Sequence, residues 1–127
     1  MSFKAKYVDA FVLVVPKDKV AAYKKMAKGG SEIWMKHGAL SYRECKGDDL
    51  NPEMKGCPYL PFPQLTKLKP SETVWFSYIE YKSKAHRNSV NKKVMKEMEK
   101  EFKDNPMPSM PFDSKRMSYG GFTVEVS

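Results

Sequence analysis

The sequence is poor in cysteine, arginine and histidine. Cys45 and Cys57 are the two cysteines among 127 residues. They form no CxxC and match no zinc spacing, so a disulfide framework is excluded and both thiols are expected to be free. Arg43, Arg87 and Arg116 are the arginines among 23 basic residues, and the remainder are lysines. Lysine is a hydrated, mobile charge that suits a solvated helix face, whereas bidentate anion recognition favours arginine. The net charge of +8 therefore describes a basic exterior with a weak, non-specific pull on polyanions. His37 and His86 lie far apart and no third ligand accompanies them, so no metal site is expected. The longest apolar run, Ala10–Val15, is far too short to cross a bilayer, and no membrane association is expected. The opening MSFKAKYVD has no apolar signal core, which makes the cytoplasm the expected address. There is no GxSxG, HExxH, P-loop or dinucleotide fingerprint, and no cofactor is implied.

What is present is a regular alternation of strand and helix patterns. Hydrophobic residues make up 41% of the chain, which excludes a disordered chain. The length suits one domain, residues 1–127, with one core. Tyr7–Pro16 reads as a strand that is apolar on both faces, and Pro16 stops it. Lys17–His37 carries Val20, Tyr23, Met26 with Ala27, Gly30, and Ile33 with Trp34 at helical spacing, with Gly38 as its C-cap. Ala39–Lys46 alternates as a strand with Tyr42 and Glu44 on one face and Arg43 and Cys45 on the other. Pro52, Gly56, Pro58, Pro61, Pro63 and Pro70 make residues 47–70 an irregular loop, of the kind that serves as a lid, arm or interface element. Thr73–Tyr81 is a third strand. Ser83 then caps a helix over Lys84–Lys103, and Lys115–Val126 is the last strand, with a bulge or bend expected at Gly120-Gly121.

The order β-α-β-β-α-β predicts an α+β fold, the ferredoxin-like sandwich with both helices on one face of the sheet. The first strand is apolar on the other face too. A bare apolar face calls for a partner, and packing two sheets face to face in a homodimer provides one.

The stretch Met110–Phe122, MPFDSKRMSYGGF, resembles the YbaA-like bacterial family of unknown function. Tyr7–Pro16 (YVDAFVLVVP), His37–Cys45 (HGALSYREC) and Thr73–Lys82 (TVWFSYIEYK) extend the resemblance over most of the chain. It implies a dimeric α+β barrel and implies no activity.

The chemistry-bearing candidates follow from faces and neighbours. His37 sits where it can bond the last carbonyls of its helix. One of Arg43 and Glu44 must face the buried side and needs a partner, and an Arg43–Asp113 ion pair is expected to order the approach to the last strand. Trp34, Tyr42, Arg43, Tyr78 and Asn91 are the expected lining of a pocket between sheet and helices. Such a pocket suits a small apolar or anionic ligand. By fold analogy it suits a cofactor-independent monooxygenase or isomerase. A weaker similarity to haem-degrading barrels places Asp9, Trp75 and His86 around a haem, with Asp9 standing where those enzymes have Asn. Two other functions compete with the pocket. One is an RNA- or polyanion-binding module using Phe76 and Tyr78, although Thr73–Tyr81 lacks the Gly-aromatic pattern of RNA-recognition motifs and nucleic acid is not the expected partner. The other is a structural or stress-related interaction protein.

Overall fold

Strands and helices alternate in a computed structural model that describes residues 4–106 and 109–127. The order is β1 (Tyr7–Pro16), α1 (Val20–Lys36), β2 (Ser41–Lys46), α2 (Phe62–Leu65), β3 (Glu72–Tyr81), α3 (Lys84–Asp104) and β4 (Ser118–Thr123). The strands pair antiparallel in the order β2-β3-β1-β4. This is the ferredoxin-like α+β sandwich predicted from the element pattern.

Pairing register sets which side chains meet. Tyr7, Asp9, Phe11, Leu13 and Val15 lie opposite Tyr81, Ile79, Ser77, Trp75 and Thr73, on the face that carries the helices. Helix α1 buries Tyr23 and Ala27 there, and α3 buries Val90 and Val94. Each pair is four residues apart and so lies on one side of its helix. Two clusters result. Tyr7, Ile79, Tyr81, Val90 and Val94 form one, and Leu13, Val15, Tyr23, Ala27 and Trp75 form the other. Full burial of each aliphatic side chain contributes about 1.5–3 kcal/mol.

The opposite face carries Val8, Ala10 and Val12 of β1, Phe76 and Tyr78 of β3, and Phe122 of β4. Phe76 is 42% and Phe122 59% exposed, so this apolar face is open in the single chain. Arg43 lies opposite Tyr78 on the same face and is exposed.

Local signals behave as expected at the caps. Ser83 Oγ accepts from the His86 amide at the start of α3, and Gly38 adopts φ +108° after α1. The last strand is shorter than its pattern suggests, because Asp113 accepts from the Lys115 amide and winds Ser114–Arg116 into a 3-10 turn. Lys17–Lys19 likewise form a 3-10 turn before α1. No bulge forms at the glycines, since Ala10 and Asp9 pair in unbroken register with Gly120 and Gly121. Gly121 is glycine for another reason: a Cβ there would overlap the Tyr7 hydroxyl. Cys45 and Cys57 are unbridged and exposed. No helix among the described residues is long and apolar enough to cross a membrane.

Candidate functional site

The face alternation of β2 sends Tyr42, Glu44 and Lys46 toward the helices, where α1 leaves a cleft against the sheet. The cleft has a volume of about 490 Å³. Val20, Ala27 and Trp75 supply its apolar walls, and Lys24, Lys28 and Lys46 stand around it with Ser31. Glu44 is the acid in the lining. The Tyr23 hydroxyl donates to Glu44 Oε1 at 2.6 Å, and the Tyr42 hydroxyl donates to Oε2 at 2.8 Å. Both carboxylate oxygens are thereby fixed in place, each with acceptor capacity to spare.

Neighbouring residues make this arrangement possible. A Cβ on Gly30 would lie 3.3 Å from the Tyr42 hydroxyl, so the glycine gives that hydroxyl room beside α1. Tyr23 packs on Trp75 with ring centroids 4.9 Å apart and meets Phe112 edge-on at 6.1 Å. The Trp75 indole N–H is satisfied by Thr73 Oγ1 at 3.0 Å. Burial pushes the Glu44 carboxyl above its ordinary range, and the two phenol hydrogen bonds oppose that shift. Burial, then Glu44 itself, pushes the Tyr23 and Tyr42 phenols well above theirs. The result is a carboxyl group that holds a proton more strongly than a solvated one, beside two phenols that stay protonated. Among the described residues no acid forms an ion pair with Lys24, Lys28 or Lys46.

A second polar group lies between the sheet and α3. Asp9 is 1% exposed. Its Oδ1 is 3.5 Å from Arg87 Nη1, an ion-pair separation beyond good hydrogen-bond distance, and has no hydrogen-bond partner. Arg87 donates to the Tyr119 and Tyr7 hydroxyls, both at 3.1 Å. Tyr119 in turn stacks on Phe11 at 4.6 Å. Burial raises the Asp9 pKa, and the Arg87 charge opposes the rise.

Of the residues expected in a pocket, Tyr42 lines the cleft. Trp34 and Asn91 meet each other instead: the indole N–H donates to Asn91 Oδ1 at 3.1 Å, and Tyr81 donates to the same oxygen at 3.3 Å. Arg43 and Tyr78 lie on the opposite, open face, because each is one residue out of phase with the helix-facing set. The expected Arg43–Asp113 pair does not form. Asp113 Oδ2 accepts from Arg116 Nε at 2.7 Å, and Arg116 also reaches Glu72 and the Thr66 and Lys67 carbonyls. The buried-side partner problem posed by adjacent Arg43 and Glu44 thus belongs to Glu44, and tyrosines solve it. Arg116, rather than Arg43, ties the 47–70 loop to the approach of β4.

The haem-like trio is not assembled. Trp75 belongs to the Tyr23 cluster, while His86 meets Tyr81 edge-on at 5.9 Å. Trp75 and Tyr81 are six strand residues apart, a distance of about 20 Å. His86 Nδ1 is also occupied, accepting from the Lys82 amide at 2.9 Å. His37 caps α1 with its backbone N–H and places Nε2 3.4 Å from Glu97 Oε1 on α3. No group of three or more His, Cys, Asp or Glu among the described residues could hold a metal ion. Glu44, Tyr23 and the three lysines are not among the residues expected to line a pocket. The available signal was the single acid on the helix-facing side of β2.

The chain resembles curated relatives along nearly its whole length. It is 44% identical over 118 residues to the uncharacterized protein YbaA of Escherichia coli strain K12, covering 92% of this chain and 94% of the relative. The Shigella flexneri protein of the same name matches with the same identity and coverage. Residues 6–114 match the model of a family described as a protein of unknown function, DUF1428. The chain therefore belongs to the YbaA-like DUF1428 family.

Proposed function

We propose that the protein is a cytoplasmic homodimer, joined through its open sheet faces, that binds a small molecule in the α1–β2 cleft and moves a proton on it. This is the chemistry of a cofactor-independent isomerase. The observation that carries it is the Glu44 carboxylate, facing the cleft and held by one phenol on each oxygen. A carboxylate in that setting takes a proton from a carbon beside a carbonyl. The C–H pair becomes the new C=C bond and the carbonyl π pair becomes an oxyanion. The proton returns to that oxygen from Glu44 or solvent, and no electrons are gained or lost. A cofactor-independent monooxygenase would share the first step and then consume dioxygen.

The homodimer is supported by the exposed Phe76 and Phe122, which share this face with Val8, Ala10 and Val12. Light scattering is expected to give about twice the 14.6 kDa chain mass, and Phe76→Lys should yield monomer. A ligand-library thermal-shift screen on wild type and Glu44→Gln tests the cleft, because native-state binding raises the midpoint. Hits that stabilise both proteins equally and do not compete for the cleft count against it. Polyanion binding is the second reading, favoured by the Phe76 and Tyr78 rings, 5.8 Å apart on the same face as Arg43. Salt-dependent RNA binding by a monomeric protein would support it over the dimer.

A further inference from the structure

We infer that the molecule taken by the cleft is a small organic anion, a 2-oxo acid with an apolar body, whose carboxylate is held by Lys24, Lys28 and Lys46 and whose acidic C–H faces Glu44. This rests on the proton-transfer role of Glu44 and adds the class of substrate.

Three features of the cleft point there. Lys24 and Lys28 are one helical turn apart and on the same side of α1, a like-charge spacing that weakens a helix slightly. Lys46 adds a third cation from β2. Among the described residues these ammonium groups have no acid partner, and Glu44 has both oxygens turned to tyrosines. The mouth therefore has an excess of positive charge that attracts a carboxylate from outside and that one carboxylate would partly neutralise. The Trp75, Val20 and Ala27 walls suit a flat apolar body.

The acid's strength sets the remaining requirement. Even with its proton affinity raised by burial, a carboxylate removes a proton from carbon only where a neighbouring carbonyl takes up the charge. A 2-oxo acid joins that carbonyl to the anion the lysines require. The lysines would also face the oxyanion as it forms.

The probes are phenylpyruvate and its methyl ester, which differ in the charge and keep the ring and the enolisable carbon. Phenylpyruvate should raise the thermal midpoint of the full chain, with an effect that fades at high salt, and the ester should not. Lys24→Gln/Lys28→Gln, both exposed positions, should weaken phenylpyruvate binding roughly tenfold. Glu44→Gln should keep binding and lose the acceleration of keto–enol exchange, followed by ultraviolet absorbance. Equal binding of acid and ester would overturn the anion class, and any acceleration of both would leave the proton-transfer role standing. Selective binding of the acid with no acceleration by the wild type would uphold the anion and defeat proton transfer. Failure of phenylpyruvate to bind at millimolar concentration would overturn the inference.

Discussion

The Tyr7 phenol passes over Gly121 and ends 3.1 Å from Arg87 Nη2. The absent side chain on β4 is what lets a β1 tyrosine reach an α3 arginine. Gly121→Ala should therefore force Tyr7 off its position and lower stability by about 1–3 kcal/mol. Gly120→Ala, whose nearest neighbour would be the Phe122 ring at 3.7 Å, is the matched control and should change little. Urea denaturation of the two variants decides it, and equal midpoints would show that Tyr7 has room to move.

Arg87 is the counter-charge of a buried acid. Arg87→Met should cost about 3–5 kcal/mol at neutral pH, since Asp9 would be left charged and unpaired. Asp9 already has a folded-state pKa above its ordinary 3.8. For an acid raised in this way, the protonated form favours the fold below the unfolded value, and that advantage is lost as pH rises through the folded value. Without Arg87 the rise is larger. The stability gap between variant and wild type should then narrow as pH falls from neutrality toward about 4, and Asp9→Asn in the same chain should close most of it. A gap that stays constant with pH would mean Asp9 is not ionised in the native protein.

The opposite sign applies to Glu72. Hydrogen bonds from Arg116, then from the Lys69 amide, lower its pKa from 4.5 to about 2. A depressed carboxyl contributes stability that is fully present above its unfolded pKa and is lost as pH falls through the folded one. Acid titration of the wild type should show a loss between about pH 4.5 and 2. Arg116→Met should be less stable at neutral pH and should flatten that part of the curve. A variant that retains the full acid-dependent loss would mean other carboxylates cause it.

Glu44 should be detectable by its titration. Tyr42→Phe removes one of the hydrogen bonds that oppose its upward shift, so the carboxyl should titrate at higher pH than in the wild type. Carbon-detected NMR of the side chain measures this directly. An unchanged titration would mean water replaces the lost phenol.

The periodicities were sufficient for the architecture. Two-residue alternation in YVDAFVLVVP and TVWFSYIEYK, and the helical spacing of Tyr23 with Ala27 and Val90 with Val94, mark β1, β3, α1 and α3, although the face of β3 toward the helices carries Trp75 and not the expected Tyr78. The cleft was less legible because its parts come from separate elements. Tyr23 is from α1, Glu44 from β2 and Trp75 from β3, and only the pairing register brings them together. Arg43 misled for a related reason. As one of few arginines it drew the expected ion pair, yet strand parity turns it outward, and Arg116 was already close to Asp113 in sequence. Gly120-Gly121 suggested a backbone irregularity, whereas one of the two glycines makes room for a side chain from another strand.

Arg116 makes contact at three separated stretches of chain: Thr66 and Lys67, Glu72, and Asp113. It holds the far end of the 47–70 loop down, while residues 51–60 remain exposed throughout. A protease that cuts within that exposed span would leave one piece carrying β1, α1 and β2 and another carrying the rest. The pieces would stay joined through the β1–β3, β1–β4 and β2–β3 ladders. The nicked protein should therefore migrate as an intact particle under native conditions and separate only when denatured.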